Sequence, residues 1–231
     1  MLSVGFCEIS GMNVLPVTPL PPPGAPDWEA LRRRFRGHAT LALGQAWRPK
    51  VEPLFAAGQV RVALDGMSLA VFATLRDRDV FNPVAHFGVP AFPHGDTFEI
   101  FLQPVGQAAY YEFHVTPGAA LLQLRWPGPM RELPIDWSAP ADPLRAYKVA
   151  RWRMRARTQI GRTGWEVHAE IPLRRIFEES APWNGSRLRV NFARYDYTRG
   201  RLRPVLSAAA AHGELDFHRT HEWPEVELRF R

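Results

Sequence analysis

The sequence predicts an all-β protein, a single jelly-roll-like antiparallel β-sandwich with one or two short helices. Three observations predict it. Along Gly95–Pro117, Phe98, Ile100 and Leu102 alternate with Thr97, Glu99, Phe101 and Gln103. The same period of two returns in Gly164–Phe177, where Trp165, Val167, Ala169 and Ile171 alternate with Glu166, His168 and Glu170, and the chain runs on into Arg187–Tyr197. Successive side chains of a strand point to opposite faces, so each segment is expected to bury one face, wet the other, and form one of two facing layers. The third observation is the spacing of Gly- and Pro-bearing turn signals between short strand-like runs, which suits a sandwich.

The elements follow in order. Residues 1–38 read as a proline-rich N-terminal arm and a short helix, and residues 39–231 as the sandwich. The run Pro19–Pro23 with Gly24 and Pro26 favours an extended, polyproline-like arm. Asp27 is placed to cap a short helix that carries Leu31 and Phe35 on one face. Strands are expected at Thr40–Leu43, Gln59–Leu64 and Ser68–Arg76, the last two joined through Asp65-Gly66. Residues 77–95 lack a strand pattern and carry Phe81, His86, Phe87, Phe92 and His94 among prolines and glycines; a loop of that length and ring content points to function. Thr97–Gln103 and Tyr110–Thr116 form the next hairpin, followed by Ala119–Trp126 and a proline-rich connection over Pro127–Pro143. Tyr147–Thr158 and Gly164–Ile171 pair around Gly161–Gly164. Leu173–Glu179 is a short helix entered through Pro172, and Arg187–Tyr195, Leu202–Ala208 and Glu225–Phe230 complete the strands.

Composition narrows the function classes. The 231 residues carry a net charge of +6, nearly all of the positive charge being arginine. The arginines are scattered and lack interleaved aromatics, so nucleic acid is not an expected partner. Arg151, Arg153, Arg155 and Arg157 alternate and read as the wet face of one strand. The single cysteine, Cys7, permits neither an intrachain disulfide nor a cysteine zinc site. No apolar run is long enough to span a membrane, so no membrane partner is expected. No signal peptide is visible at Met1 or at the alternative start Met12, which makes the cytoplasm the default and an extracytoplasmic location the alternative if the start is misassigned.

Enzyme motifs are missing: no serine sits in G-x-S-x-G, and no Gly-rich phosphate loop occurs. His218 and His221, beside Glu214, Asp216 and Glu222, suggest a mixed histidine–carboxylate metal site, but H-E-x-x-H is absent and no metal is expected there. Asp77 and Asp79 have the oxygen chemistry for a structural calcium, but a capped turn is the preferred reading and no cofactor is expected.

Several pieces, taken in order over Val60–Arg231, resemble the family 9 carbohydrate-binding modules and their DOMON-like single-domain relatives. Asp96-Thr97-Phe98-Glu99-Ile100-Phe101 resembles the family's D-x-V-E-I-F strand, and Tyr110–Val115 its YYEF-x-V strand. Gly164-Trp165 to Ile171-Pro172 resembles GW-x-x-E-x-x-I-P, Arg189–Arg194 resembles x-V-N-F-x-R, and Phe217-His218 up to Trp223-Pro224 resembles the closing FH-x-P-x-x-F-G. The resemblance implies non-catalytic binding of a sugar or glycan, with rings stacked on the sugar's C–H faces and polar groups on its hydroxyls. It places Glu99 at a binding carboxylate, His114 where an arginine is usual, and Phe217 at a stacking ring, with Phe92 or His94 at the other. Asn191, Arg194 and His218 complete the implied ligand set, with the alternative for Arg194 of a structural pairing with Asp196 or another acid. Where the family uses stacking tryptophans, none of the eight Trp of this chain falls at either place. Two alternatives stand beside this: a carbohydrate-active hydrolase using Glu99 and Glu112 across the hairpin, and a protein-interaction module presenting Phe81, Phe87 and Phe92 as a flat patch.

Overall fold

In the computed structural model, residues 14–22, 27–138, 142–149, 154–179 and 186–230 are described. Arg151 and Arg153, and the arm before residue 14, lie outside them. The described part of the arm belongs to the sandwich. Strand β1 (Leu15–Val17) pairs in parallel with Val226–Leu228, and Thr18–Leu20 then bonds to Leu64 of the other sheet. Helix α1 (Trp28–Arg34) begins as expected, Asp27 accepting from the Ala30 N–H at 2.7 Å. Its Leu31, with Phe35 just beyond, buries against Ala63, Ala70 and Phe72.

Strands β2 (Ala39–Leu43), β3 (Gly58–Asp65) and β4 (Ser68–Arg76) form an antiparallel meander, with Gly66 at φ 57° in the β3–β4 turn. Strands β5 (Thr97–Pro104), β6 (Tyr110–Val115) and β7 (Leu121–Trp126) form a second meander. Strands β8 (Arg155–Gly161) and β9 (Gly164–Pro172) pair around Arg162-Thr163, and α2 (Leu173–Glu179) follows. Strands β10 (Arg187–Asp196), β11 (Val205–Ala208) and β12 (Glu225–Leu228) close the chain.

Two sheets result: a seven-stranded one in the order β1-β12-β10-β5-β6-β7, with β11 also on β10, and a five-stranded one in the order β2-β3-β4-β9-β8. This is a β-sandwich. Its core lies between the sheets, where Val62, Val71 and Val167 meet Ile100, Phe113 and Phe192. Burial of each such side chain contributes about 1.5–3 kcal/mol.

Two expectations need correcting. Arg187–Tyr197 does not sit in the layer facing β5. As β10 it pairs directly with β5, Ala193 opposite Glu99 and Asn191 opposite Phe101. Nor is the outer face of β5 and β6 wet: every residue of both strands is buried. The segments 127–138, 142–149 and 209–223 fold over that face and build a second apolar cluster from Phe101, Leu124, Trp126, Leu144, Phe217 and Trp223. Alternation survives, but it separates two buried faces.

Candidate functional site: a ring-lined cavity over a buried carboxylate pair

The outer face of the seven-stranded sheet sets the floor of the site. Glu99 of β5 lies opposite His114 of β6, and Glu112 lies two residues earlier on the same face. On the other side of Glu99 stands the small Ala193, so no bulky neighbour fills the space above the carboxyl. The covering segments leave a cavity of about 650 Å³ there. Phe92, Trp126, Tyr195 and Phe217 wall it, Trp137 and Leu215 stand at it largely exposed, and Glu99, Glu112, Asp216 and His218 supply its polar groups.

The walls are held by hydrogen bonds. Tyr197 Oη donates to Phe92 O at 2.9 Å, and Asn82 Nδ2 donates to Ala91 O at 3.1 Å, fixing the loop that carries Phe92. Trp223 Nε1 donates to Phe217 O at 2.9 Å. The ring of Phe92 lies 5.5 Å from Tyr195, and Tyr195 meets Phe217 edge-on at 5.9 Å. The aromatic loop at 81–94 is therefore not a flat patch: Phe92 turns into the cavity and Phe81 packs under Arg199, while Phe87 stays exposed.

The carboxylates form a tight network with His114. His114 Nε2 lies 2.5 Å from Glu112 Oε1 and 3.3 Å from Glu99 Oε1, and Trp126 Nε1 donates to Glu112 Oε2 at 2.6 Å. All of these groups are buried. Burial pushes Glu99 up to about 8, relieved in part by His114 and reinforced by Glu112. Burial would raise Glu112 as well, but His114, His218 and the Trp126 N–H outweigh it and hold Glu112 below the carboxylate range. Burial opposes a charged His114, yet Glu99 and Glu112 together raise it. Burial and the shared histidine thus push the two carboxyls apart, Glu99 toward the protonated form and Glu112 toward the ionised one, with the charged form of His114 favoured between them. Among the described residues Glu99 has no polar partner other than His114, so its carboxyl is free to donate to or accept from a ligand. His218 Nδ1 meets the Tyr110 hydroxyl at 2.7 Å, and burial, opposed by Glu112 and Asp216, keeps this ring below the usual histidine range.

Of the residues implied by the sequence, Phe92, Glu99, Phe217 and His218 line the cavity, and His114 stands behind the two glutamates. Three do not fit the implied role. His94 is exposed and does not line the cavity. Asn191 is fully buried with its amide engaged: Oδ1 accepts from Ala210 N at 3.0 Å, and Nδ2 faces His212 Nε2 at 3.1 Å. It pins the covering segment to β10. Arg194 points to the opposite face of β10, because alternation puts it with Val190 and Phe192; there it donates to Asp77 Oδ2 at 2.8 Å and Arg76 O at 2.6 Å. The β10 residue that reaches the cavity is Tyr195. The same alternation, applied from Asn191, would have found it. Trp126 follows likewise from its pairing with Tyr110 in the β6–β7 register. Trp137 sits in the proline-rich connection and carries no periodic signal.

Among the described residues, two groups bring three metal-type donors together: Glu99 with Glu112 and His114, and Asp77 with Asp96 and Asp196. Neither includes His218 or His221. Asp77 caps a turn, Oδ1 accepting from Asp79 N at 2.7 Å, while its Oδ2 takes Arg194; Asp79 pairs with Arg199. The guanidinium of Arg194 answers two of these aspartates, Asp77 and Asp196.

No protein-family model and no curated protein matches the chain. Solved structures do. A candidate carbohydrate-binding protein from Bacteroides uniformis ATCC 8492 superposes with a TM-score of 0.69 at 16% identity, over 94% of this chain and 99% of its own. A family 9 carbohydrate-binding module from Caldicellulosiruptor kristjanssonii, solved with cellotriose, gives 0.61 at 16% identity over 95% of each chain. The same organism's module solved with glucose gives 0.60 at 16%, over 95% of this chain and 97% of its own. The chain thus shares the fold of proteins described as carbohydrate-binding.

Proposed function

We propose that the protein is a non-catalytic carbohydrate-binding module of the family 9 and DOMON-like kind, holding a neutral glycan end in the cavity above Glu99. The observation that carries this reading is the cavity itself: rings on its walls and a pair of buried carboxyl groups on its floor. The C–H faces of a sugar suit Phe92, Tyr195, Phe217 and Trp137, and its hydroxyls suit Glu99, Asp216 and His218. The protein neighbours solved with cellotriose and glucose support the ligand class. At about 650 Å³ the cavity has room for more than one sugar ring.

The pKa split of Glu99 and Glu112 favours a second reading, glycoside hydrolysis, in which one acid is protonated and the other ionised. The geometry argues for binding. His114 Nε2 sits between the two carboxyls, and both oxygens of Glu112 already accept hydrogen bonds, so neither a nucleophile nor a water-activating base is free.

The test is a glycan-array and calorimetry screen of wild type beside Trp137→Ala and Glu99→Gln, with aryl glycosides assayed for hydrolysis. Saturable binding of a neutral glycan is expected, weakened about three- to tenfold by Trp137→Ala, with no aglycone released. Absence of binding by the wild type would sink the proposal, and steady turnover would move it to the hydrolase.

A further inference from the structure

We propose that a second groove, sharing no lining residue with the sugar cavity, binds a phosphate or sulfate ester. It measures about 670 Å³ and lies where β4 leaves the five-stranded sheet and the β8–β9 hairpin turns. Arg76, Arg78 and Arg162 line it, together with Thr163, Thr198 and an apolar wall that includes Leu54 and Phe55.

None of these three arginines is tied to an acid. Elsewhere the arginines commonly meet acids, as Arg32 meets Glu166, Arg34 meets Asp65 and Arg219 meets Glu222. Among the described residues, Arg76, Arg78 and Arg162 have no carboxylate partner within ion-pair distance. The two acids of the groove, Asp77 and Asp196, are buried and already paired with Arg194, at 2.8 and 3.1 Å. Three arginines therefore line one groove, and none of them reaches a carboxylate of its own.

The arginines also stand on fixed backbone. Arg76 N donates to Ala57 O at 3.0 Å, and Asp77 N donates to Thr163 O at 3.0 Å, so the three walls are fastened to one another. Gly164 makes the approach: a Cβ there would lie 1.9 Å from Leu75 O. A guanidinium presents forked donors that match the oxygens of a phosphate or sulfate. Leu54 and Phe55 offer surface to whatever apolar part adjoins the charged group.

The experiment uses the whole protein, titrated by calorimetry with inorganic pyrophosphate and, separately, with a sulfated disaccharide, in chloride of matched ionic strength. The expected result is one saturable site for at least one probe, weakened about fivefold or more by Arg78→Gln and by Arg162→Gln. Arg155→Gln, an exposed arginine of β8 outside the groove, serves as the control. Binding of pyrophosphate alone assigns the site to phosphate; binding of the disaccharide alone assigns it to sulfate esters. Absence of saturable binding with both probes, or an equal loss in Arg155→Gln, overturns the proposal. Neutral-glycan binding in the other cavity is read independently of either result.

Discussion

Replacing Glu99 by Gln turns the proton it carries into a measurable slope. Glutamine keeps the shape and can still donate a hydrogen bond, but it never ionises. In the folded chain Glu99 holds its proton up to about 8, against an ordinary 4.5. Between those values the unfolded chain has released the proton and the folded chain has not. The unfolded state then binds fewer protons, so this group makes stability fall as pH rises from 4.5 to about 8. At about 1.4 kcal/mol per tenfold change in proton affinity, the gap corresponds to about 5 kcal/mol. His114 and Glu112 titrate with Glu99, and their adjustment reduces what is measured to about 2–5 kcal/mol. Asp96 and Asp196, both pushed by burial to about 7, give slopes of the same sign in either protein. They cancel when the variant is compared with wild type. The assay is urea unfolding followed by tryptophan fluorescence at intervals from pH 5 to 9. The variant's stability should rise relative to wild type across that range. A difference that stays flat, or that falls, would refute the protonated Glu99.

Three further outcomes follow from the same geometry. Gly164→Ala should destabilise the fold by about 3 kcal/mol or more in urea unfolding, because φ is +145° and the new Cβ would collide with Leu75 O. Arg194→Ala leaves Asp77 and Asp196 without their buried partner and should lower stability by about 3–5 kcal/mol by the same measurement. His94→Ala, an exposed change outside the cavity, should leave neutral-glycan affinity within about twofold of wild type by calorimetry.

Local patterns were the legible part of this fold. The helix over Leu173–Glu179, the Asp65-Gly66 hairpin and the strand Ser68–Arg76 lie where their residues place them, because periodicity and turn chemistry act over a few positions. Strand β1 was hidden: three residues ahead of a proline run read as an arm, and only the distant Val226–Leu228 makes them a strand. At the site, Glu99 and Phe217 were legible through resemblance. The burial of Glu99 was not, since segments far along the chain create it by folding over the sheet. Alternation alone would have separated Arg194 from Tyr195. Trp137 depends on loop placement, which no period records.

The segment from Leu15 to Leu20 touches both layers, as β1 beside β12 and through Thr18 and Leu20 on Leu64 of β3. Strand β2 pairs with β3 only as far as Val62, so Ala63–Asp65 would otherwise present bare N–H and C=O groups, as would the outer side of β12. Unpaired strand edges invite other chains to add to them. One short stretch of backbone thus shields two such edges at once, and its prolines at 16 and 19 offer no donors to a would-be neighbour. Protection of this rim against edge pairing rests on six residues near the start of the described chain, far along the sequence from the residues that line the cavity.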